Sequence, residues 1–178
     1  MPQDPEVIVL GEIRDSETAN IVMEAGLTGH LILSTIHSGT AASVFIRLLE
    51  MNIEPFLLVS AISGVIAQRL VRKICRTCKE EYRPPEDLLS ELGTTRFDGP
   101  FYHGRGCELC LNQGYFGRTV LSEMVVLDDR LRETILGRPS ISRIRQVLKE
   151  RKSRTLLEDG IVKIKNGITT PEEIRRVL

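Results

Sequence analysis

Glu6-Val-Ile-Val-Leu10 is a short continuous apolar run, and it passes directly into Gly11, Glu12, Ile13, Arg14 and Asp15. Such a run suits a buried parallel strand, and an acidic residue just beyond it stands where α/β sheets bind ligands. Ser16 is placed to cap a helix running through Ile21-Val22-Met23 to about Gly26, with Glu17 favourable in its first turn. Leu31-Ile-Leu33 is a second apolar strand. Val44, Leu48 and Met51 then recur at helical spacing within Thr40 to Met51, and Pro55 opens a further helix expected to reach about Ile74. Strand, helix, strand, helix gives an α/β fold with a parallel sheet.

The 178 residues are 42% hydrophobic and 27% charged, which is enough for one core or two small ones. Tryptophan is absent, so Leu, Ile and Val must fill the interior. Lys plus Arg equals Asp plus Glu at 24 each, which removes any whole-chain electrostatic drive toward nucleic acid. The most apolar stretch, Phe56 to Ile66, is too short for a membrane span and is interrupted by Ser60, Ser63 and Gly64. Met1-Pro2-Gln3-Asp4-Pro5 shows no basic region followed by an apolar one, so no signal peptide is expected.

After Cys75 the character changes. Tyr82 to Pro100 reads as loops with a short helix at Glu86–Leu92, and Thr119 to Leu127 as a strand. Asp128–Leu136, Ser140–Arg151, Thr155–Lys165 and Pro171–Val177 read as helices. Thr170-Pro-Glu-Glu173 has the form of a capping box with proline at the first helical position, and Gly167 stops the preceding helix. The expected division is 1–71 as the α/β part, 72–118 as a cysteine module and 119–178 as a helical C-terminal domain. Two parallel strands do not make a stable sheet, so either a partner completes it or the chain is part of a longer protein, and the second is expected.

Three motifs carry chemistry. Glu12, at the end of the first strand, can orient or deprotonate an attacking water; the alternative is an ordinary strand end with a solvated Glu12 and a helix-capping Asp15. Ser34, Thr35 and His37 cluster at the end of the second strand, beside Glu12; a hydroxyl there can sense a phosphate, and His37 can contact it or shuttle a proton. A histidine at a strand end is more often structural, and His30 is the weaker candidate of the two. Cys75-Arg-Thr-Cys78 and Cys107-Glu-Leu-Cys110, 28 residues apart, bring four thiolates within reach of one zinc ion. An all-sulfur set leaves no open position, so the role is structural. A redox pair is disfavoured, and an iron–sulfur cluster is the lesser metal alternative. Arg69, Arg72, Lys73, Arg76, Lys79 and Arg83 surround the first knuckle. They read as a solvated helix face, as a docking surface for an acidic partner or, less readily, as a nucleic-acid patch without an aromatic platform.

Taken together these segments resemble the type II secretion and type IV pilus-assembly ATPases of the secretion ATPase superfamily. Asp4-Pro-Glu-Val-Ile-Val-Leu-Gly-Glu-Ile-Arg-Asp15 looks like the family's Walker B segment, and Leu27-Thr-Gly-His-Leu-Ile-Leu-Ser-Thr-Ile-His37 like its histidine box. Glu17-Thr-Ala19, Glu54-Pro-Phe-Leu57, Ala67-Gln-Arg-Leu-Val-Arg72, the cysteine pairs, Gly114-Tyr-Phe-Gly-Arg-Thr119 with Glu123, Thr155-Leu-Leu-Glu-Asp-Gly160 and Gly167-Ile-Thr-Thr170 follow in order. The resemblance implies the second half of a RecA-like P-loop ATPase domain, then a zinc module and a helical C-terminal domain. The implied parent is a homo-hexamer using ATP and Mg2+, cytoplasmic and peripheral at the inner membrane, working with a platform protein and other machinery subunits and not with nucleic acid. By matching position Glu12 activates water, His37 lies near the terminal phosphate, Thr35, Ser34 and Arg14 are nucleotide-side candidates, and Cys75, Cys78, Cys107 and Cys110 hold Zn2+. The cysteines argue against the pilus-retraction branch. One departure is clear: no GxxxxGK[ST] occurs in the chain, and Gly11 stands where many ATPases carry a magnesium-linked Asp. The sequence therefore reads as a piece lacking the phosphate-binding loop, inactive alone. The rivals are a non-catalytic zinc-dependent interaction adaptor and a zinc-ribbon nucleic-acid binder.

Overall fold

The computed structural model describes residues 5–93 and 99–178. Asp4, where the resemblance begins, and 94–98, within the expected loop region, lie outside the described residues. In chain order the elements are β1 (Val7–Val9), α1 (Ser16–Leu27), β2 (Leu31–Leu33), α2 (Ala41–Glu50), α3 (Pro55–Ala61), β3 (Gly64–Ile74), β4 (Lys79–Tyr82) and α4 (Glu86–Glu91). There follow β5 (Phe101–Gly104), a short 3-10 turn (Glu108–Cys110), β6 (Tyr115–Val126), α5 (Asp129–Leu136), α6 (Ile141–Glu150), α7 (Leu156–Lys165) and α8 (Pro171–Val177). The strands pair as β1 with β2, β3 with β6, and β4 with β5.

Most helix starts follow from their capping residues. Thr40, Asp128, Ser140, Thr155 and Thr170 each accept a backbone N–H from the first turn of the helix they precede. At α1 the cap is Asp15 and not Ser16. Its carboxylate accepts the Thr18 N–H at 2.8 Å, and those first-turn hydrogen bonds hold its pKa below the usual value.

One element differs in kind from the sequence expectation. The helix opened by Pro55 ends at Ala61, and residues expected to continue it to Ile74 form β3. Ile66, Leu70 and Ile74 recur every four residues, which fits a helix. Pairing with β6 overrides that period, and the β-branched Val65, Ile66, Val71 and Ile74 suit a pleated surface. The consequence shows in Ile66 and Leu70, left 59% and 57% exposed. The strands run antiparallel, with the Leu127 N–H on the Ser63 carbonyl near one end and the Cys75 N–H on the Gly114 carbonyl near the other.

Two compact units result. The first takes the described residues up to Ala67 together with Met124–Ser153; the second takes Gln68–Glu123 with Arg154–Leu178. In the first, Phe45 and Leu48 of α2, Ile53, and Leu58 of α3 share a core with Leu131 and Ile135 of α5 and Ile144 and Val147 of α6. The helices near the C-terminal end therefore do not make a block of their own: α5 and α6 complete the first core, while α7 and α8 belong to the second unit.

The second unit is tied by Glu173, a carboxylate with no exposed surface. It accepts the Arg72 backbone N–H at 2.9 Å, Arg72 Nε and Nη2 at 2.9 and 2.6 Å, and Arg176 Nε and Nη2 at 2.8 and 2.6 Å. The expected capping box is only half made for this reason. Thr170 Oγ1 accepts the Glu173 N–H, but the Glu173 carboxylate goes to the arginines. Burial pushes the carboxyl pKa up, and the arginine and backbone donors outweigh it, leaving a value of about 2 against an ordinary 4.5. A depressed carboxyl stabilises fully above its unfolded pKa and loses that contribution as pH falls through the folded value. Glu173→Gln is thus expected to cost about 3 kcal/mol near neutral pH, the low end for a buried pair because both arginines reach solvent. Denaturant titrations of both proteins should show the gap closing between pH 4.5 and about 2.

Candidate active site and metal centre

The first site is built where β1 and β2 run out. Val9 lies opposite Leu33, and the parallel pairing resumes at Ile13 opposite Ile36. Between these pairs three residues, Leu10, Gly11 and Glu12, face only two, Ser34 and Thr35. An extra residue on one strand re-aims the side chains beside it. Thr35 Oγ1 donates to the Gly11 carbonyl at 2.7 Å, satisfying the group that the offset frees. Glu12 then reaches across to the end of β2. Its Oε1 lies 3.1 Å from His37 Nδ1, and its Oε2 accepts Arg14 Nε at 2.7 Å.

Glu12, Arg14 and His37 therefore converge. The Arg14 hydrogen bond, reinforced by charge and by His37, lowers the Glu12 carboxyl below its usual value against a smaller opposing effect of desolvation. Glu12 is thereby kept ionised and is a weak proton acceptor while paired, which suits orienting a water better than stripping it. The His37 and Arg14 side chains are 95% and 77% exposed, so both are free to meet a ligand from solvent. The two hydroxyls sit differently from the phosphate-sensing expectation: Thr35 spends its proton on Gly11, and Ser34 Oγ is 3.5 Å from the Thr35 carbonyl. His30 stands apart, its Nδ1 3.0 Å from Thr28 Oγ1.

The second site lies in the second unit. The first cysteine pair occupies the turn between β3 and β4; the second follows β5. Antiparallel pairing of β4 with β5 sets Lys79 opposite Gly104, which is how the long gap between the knuckles closes. The Arg105 N–H bonds the Cys78 carbonyl at 3.1 Å and continues that pairing toward the second knuckle. The chain returns past the site at Gly114 so closely that a Cβ on Gly104 would lie 2.0 Å from the Gly114 carbonyl oxygen, so a side chain there is excluded.

All four cysteines are free thiols, and their sulfurs lie within 4.8 Å of one another. The pairs Cys75–Cys107, Cys78–Cys110 and Cys107–Cys110 are 3.9, 3.8 and 3.7 Å apart. Tetrahedral Zn–S bonds of about 2.3 Å put sulfurs about 3.8 Å apart, so the donor set fits zinc. Burial raises the Cys110 thiol pKa, but the Cys107 and Gly114 N–H groups, 3.2 and 3.3 Å from its sulfur, reverse this and bring it down to about 6. Backbone donors aimed at sulfur favour the thiolate that a metal needs.

Comparison with known proteins bears on both sites. Residues 1–176 match the family described as type II/IV secretion system protein. The chain is 45% identical over 175 residues to the type IV pilus assembly ATPase PilB of Thermus thermophilus, covering 97% of this chain and 20% of that protein. It is 46% identical over 180 residues to the type II secretion system protein E of Pseudomonas aeruginosa, covering 98% of this chain and 35% of that one. The chain thus spans between a fifth and about a third of the length of these relatives. Among solved structures it resembles the pilus retraction motor PilT with bound ADP, with a TM-score of 0.66 at 22% identity over 98% of this chain and 40% of that chain. It also resembles the Legionella pneumophila ATPase DotB, with a TM-score of 0.63 at 22% identity over 97% and 38%. At that identity the likeness is one of fold. The match across nearly the whole chain, with relatives above 40% identity, means that the chain belongs to the type II/IV secretion system protein family.

Proposed function

We propose that this chain supplies the water-activating half of a motor ATPase that powers type II secretion or type IV pilus assembly. The observation that carries the reading is the Glu12–His37 contact at adjacent strand ends, with Arg14 on the other carboxylate oxygen. Glu12 orients the attacking water, and His37 and Arg14 meet the terminal phosphate. Ser34 and Thr35 line the same edge, where the Thr35 hydroxyl can still accept a hydrogen bond while donating to Gly11. ATP and Mg2+ require a phosphate-binding loop that this sequence does not contain, so a RecA-like domain would be completed by other residues of a longer protein. That protein would work as a homo-hexamer against an inner-membrane platform protein and other machinery subunits, peripheral on the cytoplasmic face. Among the described residues no helix is long and apolar enough to cross a membrane. The module at 72–118 would hold one structural Zn2+ through Cys75, Cys78, Cys107 and Cys110.

Calorimetric titration with magnesium-ATP tests this. The 178-residue chain alone is expected to give no binding isotherm and no phosphate release, because affinity in such sites comes chiefly from backbone N–H groups and a lysine around the phosphates. A longer gene product carrying the loop should do both. Micromolar binding by this chain alone would mean that the nucleotide site has been misplaced.

A further inference from the structure

The six cations around the first cysteine pair are sorted by the structure. Arg72 is committed to Glu173 and lies over the Tyr115 ring at 4.2 Å; Arg83 pairs with Glu86. Lys79 Nζ donates to the Gly167 carbonyl at 2.7 Å and lies over the Tyr102 ring. Arg69 is exposed on β3. Lys73 and Arg76 have no carboxylate partner among the described residues, and both line one groove of about 610 Å³ in the second unit. Among the described residues no acidic one lines that groove. Phe116 and Leu109, 56% and 55% exposed, line it as well, together with half-buried Ile168.

Exposed aromatic and aliphatic side chains beside arginine are the composition of a binding surface, and the volume is that of a ligand pocket. We propose that this groove docks an acidic peptide segment of another protein, with its carboxylates on Lys73 and Arg76 and an apolar side chain between Phe116 and Leu109. The occupant must bring negative charge and hydrocarbon in one narrow chain. A nucleic acid brings the charge without aliphatic groups. A bilayer is too flat for a concavity and gains little from two cations. The inference does not depend on the ATPase reading, since it uses none of the residues at the β1–β2 edge.

One competing role for Lys73 and Arg76 is to offset the negative charge of a metal-bound tetrathiolate, since Cys75 lines the same groove. The test therefore reads binding and metal content together. Random dodecapeptides displayed on phage are selected against the full chain, and the enriched sequences are resynthesised with a fluorophore. Selection should enrich Asp and Glu flanking an aromatic or leucine. Arg76→Glu and Lys73→Glu should each weaken the selected peptides about tenfold at low salt, an effect that shrinks as salt rises. Phe116→Ser should weaken them independently of salt, and bound metal should be unchanged in all three. Enrichment without acidic bias overturns the proposal. So does peptide binding indifferent to both charge reversals, or metal loss on Arg76→Glu with peptide affinity unchanged. Phosphatidylglycerol vesicles or single-stranded RNA bound more tightly than the selected peptides, through the same side chains, would replace it with a lipid or nucleic-acid site.

Discussion

Glu12→Gln, made in a longer protein that carries this chain together with a phosphate-binding loop, is expected to lower phosphate release by about 10²-fold, the scale of a misplaced reacting group. ATP binding should survive, because the substitution keeps size and removes the negative charge that opposes the phosphates. The geometry sharpens the expectation. Glu12 Oε2 is held by Arg14 and Oε1 by His37, so glutamine can keep at most part of this arrangement: its amide nitrogen repels a donor that the carboxylate attracts. His37 shares the same carboxylate. His37→Ala should therefore lower turnover as well, and the double variant should lose less than the product of the two single losses, since both act on one water. Single-turnover phosphate release is the measurement. Full turnover by Glu12→Gln would remove Glu12 from the chemistry and return it to the status of a strand-end carboxylate.

How much of this site could be read from the chain alone depends on distance in sequence. The two apolar runs and the polar residues after them announce a pair of strand ends, and parallel pairing puts those ends together whatever the details. The one-residue offset at Leu10–Glu12 is not written locally. It appears only when Val9–Leu33 and Ile13–Ile36 are both registered, and it is what turns Thr35 toward Gly11 and Glu12 toward His37. The cysteine site was legible because CxxC spacing is local; the β4–β5 pairing that closes the gap was not.

The same division holds for the fold. Helix starts at Thr40, Asp128, Ser140, Thr155 and Thr170 depend on side chains within one turn, and sequence reading finds them. The apolar spacing of residues 62–74 fits a helix, while the strand they pair with, β6, begins at Tyr115. Glu173 looks like half of a capping box from its neighbours, yet its carboxylate is claimed by Arg72, 101 residues away. The membership of α5 and α6 in the first core is another long-range fact. Their amphipathic faces are evident in sequence, but which core they complete is not.

The metal centre gives the remaining large effect. Purified chain is expected to contain close to one zinc per molecule, and Cys78→Ser to lose it. Structural zinc in small peptides contributes on the order of 10 kcal/mol, and this is comparable to the whole stability of a domain. Cys75, Cys78 and Cys110 are buried against one another, with Cys107 packed on them, and among the described residues no large apolar side chain takes part in that cluster. Without a metal two of the thiols are pulled in opposite directions: burial pushes Cys78 up to about 12, while N–H donors bring Cys110 down to about 6. A divalent cation resolves the conflict by deprotonating all four. Chelation should accordingly release backbone protection first between β3 and β6, including the β4–β5 pair, and leave α2, α5 and α6 protected because their core is in the other unit. Hydrogen exchange read by mass spectrometry, alongside elemental analysis, checks both statements. Stoichiometric iron, a Cys75–Cys78 disulfide, or an exchange pattern unchanged by chelator would each remove zinc as the element that holds this unit together.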